Sequence, residues 1–175
     1  MTKRLILIRH AKSSWSDPFA DDHARVLNDR GRASAPAIGS WMAEHGYMPD
    51  IILCSDAART RETADLILQK LDPKPELHLS PQIYHAAPLT LLELIQRQTA
   101  DNVALIGHNP GIGMLANLLV KSAPDHTRYS DYPTCATAVI DFEIDGWADA
   151  GQRGGTCVDF TVPRDLIGTS RTDID

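Results

Sequence analysis

The sequence predicts an α/β fold of three layers, α/β/α, on a mainly parallel sheet, and three observations carry that prediction. Short apolar runs rich in Ile, Leu and Val recur at residues 5–8, 51–54 and 103–106, each bounded by polar or turn residues, which is how strands buried on both faces read. Helical patterns separate these runs, and strand alternating with helix requires crossover connections and parallel pairing. After Pro124 the pattern changes to two stretches of strand composition, 137–144 and 156–162, expected as late antiparallel edge strands.

In chain order, the first strand runs straight into Arg9-His10. A helix over 29–45 follows, with Ala33, Ala37, Ile38, Trp41 and Met42 on its core face. The strand at 51–54 leads to a helix over 57–71, a strand near Leu77 and a helix over 89–97. The strand at 103–106 leads to a helix over 110–121, with Asn109 as N-cap and Pro110 at the first helical position, where its missing N–H costs nothing. Asp145-Gly146 and the glycine-rich stretch 151–155 punctuate the last strands, and Trp147 is placed in a turn. Residues 168–175 hold almost nothing apolar beyond Ile174 and read as a loose tail. No linker divides the chain, so one domain over 1–175 is expected.

Composition excludes several classes. With 175 residues the chain can bury a core without disulfides or a structural metal. Seventeen Lys and Arg against 23 Asp and Glu give a net charge of −6, which argues against a nucleic-acid or anionic-membrane surface. Cys54, Cys135 and Cys157 are odd in number and form no CxxC pair, consistent with a reducing compartment. No run is long enough for a signal peptide or a membrane span, and a cytoplasmic location is expected.

In a parallel sheet the carboxyl ends of the strands share one edge, where ligands of open α/β folds bind. The first strand delivers Arg9 and His10 there, the second leads through Ser55 to Arg59, and the third ends in Gly107-His108-Asn109-Pro110-Gly111. Two arginines and two histidines gathered this way repel one another unless an anion occupies the centre. Phosphate fits best, because guanidinium forks match its oxygens and the helix start near Pro110 offers unpaired N–H groups. Two histidines beside a phosphate suggest transfer: one imidazole attacks phosphorus, the other stabilises charge. That chemistry requires neither metal nor cofactor.

The segment LILIRHAKSSWSD at 5–17 resembles the Arg-His-Gly signature of the histidine phosphatase (phosphoglycerate mutase-like) superfamily, with Ala11 in place of the glycine. The resemblance continues through RVLNDRG at 25–31, CSDAARTRETA at 54–64 and GHNPG at 107–111. Within the superfamily the chain is most similar to the short SixA-type phosphohistidine phosphatases. The resemblance implies that His10 is the nucleophile, that Arg9 and Arg59 bind the phosphoryl group, and that His108 is the second pocket histidine. Ser16 falls where mutase-like members often carry a phosphate-contacting Asn.

Two departures bear on substrate. Where mutase-like members carry an acidic proton donor, this chain has Ile83-Tyr84-His85-Ala86, so His85 is at most an auxiliary. Only residues 80–101 separate the strand near Leu77 from the next, which leaves no room for the cap of larger relatives. The first favours a phosphoramidate such as phosphohistidine, and the second an open pocket that suits a phosphoryl group displayed on another protein; a phosphorelay protein, another phosphohistidine protein and a small phosphorylated substrate all stay open as donors. A small-molecule phosphomonoesterase and a non-catalytic phosphate-recognition module are the alternatives. A cysteine phosphatase needs Cys-x5-Arg, whereas only four residues separate Cys54 from Arg59. No HExxH or close ligand pair suggests a metal hydrolase. Asp21, Asp22 and His23 read as a solvated loop beside the pocket, and Lys12 as a rim or surface charge.

Overall fold

The computed structural model describes residues 1–168. Its sheet has six strands: β1 (Thr2–Arg9), β2 (Ile51–Ser55), β3 (Glu76–Ser80), β4 (Asn102–Gly107), β5 (Thr137–Glu143) and β6 (Thr156–Thr161). They lie in the order β3-β2-β4-β1-β5-β6. The first four are mutually parallel, β5 is antiparallel to β1, and β6 is antiparallel to β5. The late pair therefore extends one side of the sheet, with β6 at its edge.

Uninterrupted apolar runs form the central strands because both faces are covered. Successive side chains point to opposite faces, so Leu5 and Leu7 join one core cluster while Ile6 and Ile8 join the other; Val103 and Leu105 divide from Ala104 and Ile106 in the same way. Helices α1 (Asp29–His45) and α2 (Ala58–Leu68) cover one face, where Ile38, Met42 and Ile67 are buried. Helices α3 (Pro88–Gln96) and α4 (Gly111–Leu119) cover the other with Leu91, Ile95, Ile112 and Leu115. A short α5 (Pro163–Ile167), without a counterpart in the sequence reading, packs on α1. The part of the tail beyond Gly168 lies outside the described residues.

Local chemistry sets the helix ends. Asn28 caps α1 by accepting from Gly31 N at 2.9 Å, and Gly46 ends it with φ 71°. Helix α4 starts at Gly111, one residue after the expected position: Pro110 is the cap residue and the Asn109–Pro110 bond is cis. Asn109 still caps the turn, its Oδ1 accepting from Gly113 N at 3.1 Å. The turn expected at Trp147 is a single 3-10 turn, Trp147–Asp149, but the indole is buried and donates to the Ala100 carbonyl at 2.6 Å. Trp147 is thus a core side chain, because it can bury its ring and still satisfy its N–H on a distant backbone oxygen.

Candidate active site

At the carboxyl edge of the parallel strands lies a cavity of about 210 Å³ lined by Arg9, His10, Lys12, Ser13, Trp15, Asp22, Arg25, Arg59, His85, His108, Asn109 and Thr134. Backbone pairing brings its floor together: His10 N donates to the Gly107 carbonyl at 3.0 Å, and the His10 carbonyl accepts from Cys135 N at 3.0 Å. Thr63 ties the loop after β1 to α2, accepting from Ala11 N at 3.0 Å and donating to the Arg59 carbonyl at 2.7 Å. Glycine permits a close approach at Gly111, where a Cβ would lie 2.1 Å from the Ala86 carbonyl oxygen. That contact sets the segment carrying His85 against the start of α4.

His10 is buried at 6% exposure, with Nδ1 2.7 Å from the Ala11 carbonyl oxygen. A carbonyl only accepts, so Nδ1 carries the proton and Nε2 is the lone-pair nitrogen. Burial, with smaller contributions from His108, Arg9 and Arg59, holds the His10 pKa well below 6.5, which keeps the imidazole neutral. The His108 ring lies 5.2 Å from it, centroid to centroid, and its Nε2 is 2.8 Å from Ser55 Oγ. Burial first, then Arg59, lowers the His108 pKa to about 3. Its Nδ1 has no hydrogen-bond partner among the described residues.

Three arginines line the cavity, from the end of β1, from α2 and from the loop after the 3-10 turn Asp22–Ala24, and His85 joins them. Arg9, at the end of β1, donates to the Tyr132 carbonyl at 3.2 Å, the same oxygen that accepts from Asn109 Nδ2 at 2.9 Å. Arg59, on the first turn of α2, is 2% exposed. Arg25 lies over the Trp15 ring at 3.7 Å and donates to Ser13 Oγ. His85, with φ 53°, stacks on His108 at 5.6 Å and 5° between ring planes.

The structure thus brings Arg9, His10, Arg59, His108 and His85 around one cavity. Ser16 is exposed, its hydroxyl is 2.8 Å from Ser14 Oγ, and Ser13 rather than Ser16 lines the cavity. Asp22 departs from the solvated-loop reading. Its carboxylate receives Arg59 at 3.0 Å, Arg25 at 3.2 Å, Tyr84 at 2.5 Å and His85 at 3.0 Å. Tyr84 foremost, then His85, Arg25 and Arg59, hold it far below the usual carboxylate range. Its neighbours lie up to 63 residues away, so no local signal marks it; Arg25 was visible only as part of the RVLNDRG resemblance. Cys54, buried under β2's end, has its thiol pushed up to about 12 by burial. Among the described residues no three His, Cys, Asp or Glu side chains are grouped as a metal site needs, and no helix is long and apolar enough to cross a membrane.

Residues 5–83 match the histidine phosphatase superfamily (branch 1). The fold matches that of SixA from Agrobacterium tumefaciens, assigned as a phosphohistidine phosphatase, with TM-score 0.76 and 30% identity over 92% of this chain and 98% of that one. A protein histidine phosphatase SixA complexed with tungstate shares the fold at TM-score 0.77 and 18% identity, over 93% of this chain and 99% of that one. An uncharacterized protein of Mycobacterium tuberculosis is 35% identical over 166 residues, 90% of this chain and all of its own length. Since nearly the whole Agrobacterium protein is shared and the signature residues from four separate segments meet at one cavity, the chain belongs to the histidine phosphatase superfamily, as a phosphatase with the SixA form of the fold.

Proposed function

We propose that this phosphatase removes the phosphoryl group from phosphohistidine on a protein, through a phosphohistidine formed on His10. The observation that carries the reading is the fixed tautomer of His10: Nδ1–H is held by the Ala11 carbonyl, so the neutral Nε2 is the nucleophilic atom in a pocket of cations. Nε2 attacks phosphorus in line, the bond to the leaving group breaks, and the electron pair goes to the leaving atom. Water then attacks the Nε2-bound phosphorus, one proton is released to solvent with phosphate, and His10 returns to its neutral form. Arg9, Arg59 and His108 stabilise charge on the equatorial oxygens.

The preference for a nitrogen leaving group rests on proton supply. An alkoxide must be protonated as it leaves, whereas a phosphorylated imidazole accepts its proton from water beforehand. The segment 83–86 has no carboxylate, and Asp22 is held ionised by its four donors, so it has no proton to give. The buried His10 forms the floor, and an in-line leaving group departs toward the mouth, where His85 is 54% exposed. Trp15 and Phe19, 74% and 93% exposed on the loop beside the cavity, suit contact with a macromolecular donor. The tungstate complex of a SixA protein also supports oxyanion binding, tungstate being a tetrahedral oxyanion.

Rates measured side by side on a phosphohistidine-bearing protein, an aryl phosphate and phosphoglycerate test the reading. It expects the highest kcat/KM on phosphohistidine and the lowest on phosphoglycerate; a preference for phosphoglycerate would overturn it.

A further inference from the structure

The cavity already contains one anion of its own. Asp22 stands on a single 3-10 turn, Asp22–Ala24, that has no buried residue; the turn is held by Asp22's own polar groups and by His23, whose Nε2 is 2.9 Å from Asp56 Oδ1. Both terminal nitrogens of Arg59 are engaged by this one residue: Nη1 donates to the Asp22 carbonyl at 2.7 Å and Nη2 to Oδ2 at 3.0 Å. Arg59 Nε has no hydrogen-bond partner among the described residues, and the side chain is 2% exposed. A buried guanidinium requires an anionic or carbonyl partner, and here a loop residue with a 42% exposed side chain supplies it.

Carboxylate and phosphoryl oxygens compete for the same fork, since a guanidinium recognises both through paired N–H donors. Resting on the reading of this cavity as a phosphoryl pocket, we propose that Asp22 is a tethered counter-anion: it occupies the Arg59 fork, the incoming phosphoryl group must displace it, and it thereby sets how tightly a phosphate oxyanion is held. Because Asp22 is part of the chain, it competes at a high effective concentration that dilution never lowers. A phosphoryl group that also engages Arg9, His108 and Nε2 of His10 outcompetes it. Inorganic phosphate, without the rest of the substrate, is held less tightly and leaves. Asp22 is then a specificity-determining residue that disfavours product retention.

The test is an equilibrium titration of inorganic phosphate, by calorimetry, into the wild-type chain, Asp22→Asn and Asp21→Asn, with a melting curve on each protein. Asp21 is exposed and its side chain makes no capping bond, so its variant controls for the loss of one negative charge near the mouth. Asp22→Asn is expected to bind phosphate at least about tenfold more tightly, equivalent to about 1.4 kcal/mol, and Asp22→Ser to shift the same way if the asparagine variant fails to fold. KM for substrate should fall while kcat does not rise, because product now leaves more slowly. Equal or weaker phosphate binding by folded Asp22→Asn would overturn the proposal, as would an equal gain in Asp21→Asn. Absence of phosphate binding in all three proteins would overturn it together with the phosphoryl-pocket reading; loss of the counter-anion effect with phosphate still bound would leave that reading standing.

Discussion

Strand β1 carries basic residues at both ends, and their surroundings differ. At its start, Arg4 makes a two-pronged ion pair with Asp141 across the strand pair, at 2.7 and 2.9 Å, and the buried Lys3 meets Asp101 at 2.6 Å. Each cation there has its own carboxylate. At the other end, Arg9 and His10 open into a cavity where four cationic side chains, Arg9, Lys12, Arg25 and Arg59, face a single carboxylate, Asp22. One-to-one pairing neutralises charge and pins strands, whereas cations gathered around a neutral imidazole are what the proposed function needs to receive a phosphoryl group.

Mutating the two ends separates these roles. The largest effect is expected for His10→Ala, whose hydrolysis rate should fall to the uncatalysed background in a steady-state assay. Arg59→Ala should lose about 100- to 1000-fold in kcat, the range for removing one preorganised donor to a developing charge. Arg4→Ala, at the opposite end, should leave kcat within about twofold while costing about 1–3 kcal/mol in urea unfolding, because it strips a half-buried carboxylate of its donors. An activity loss in Arg4→Ala comparable to that of Arg59→Ala would erase the distinction.

Smaller effects follow from the neutral histidines. The unfolded chain takes up a proton on His108 near pH 6.5, whereas in the folded chain its pKa is lowered to about 3. Between these values the unfolded state binds more protons, so stability falls as pH drops from 7 toward 4, by at most about 1.4 kcal/mol per pH unit for each such histidine. His108→Gln should make the dependence shallower in urea titrations at pH 7 and 5.5. The same burial keeps His10 a base, so kcat/KM for a substrate of constant charge should show no acid limb from His10 until well below pH 6.5. The smallest effect is expected at Cys54: iodoacetamide applied to the native protein should leave activity unchanged, since the thiol is buried and its pKa is about 12.

What could be read from sequence divides along the range of the interactions. Strands β1, β2 and β4 were legible because burial on both faces leaves continuous apolar runs, and α1 because Ile38, Trp41 and Met42 fall on one face at helical spacing, although Ala33, expected beside them, is exposed. His10, Arg9, Arg59 and His108 could be grouped because strand ends in a parallel sheet share an edge. Asp22 and Trp147 were not legible in this way. A polar loop residue and a tryptophan after Asp-Gly both look solvated locally; only Arg59, Tyr84 and His85 in one case, and the Ala100 carbonyl in the other, make them internal. The carbonyl that orients His10 belongs to the next residue, Ala11, yet nothing in side-chain type reveals a backbone direction.

The most direct test is covalent labelling. Wild-type protein mixed briefly with a radiolabelled phosphoryl donor and quenched should carry acid-labile, alkali-stable label on His10, and His10→Ala should carry none. Equal labelling of the two proteins, or label found on another residue, would contradict the assignment of His10 as nucleophile.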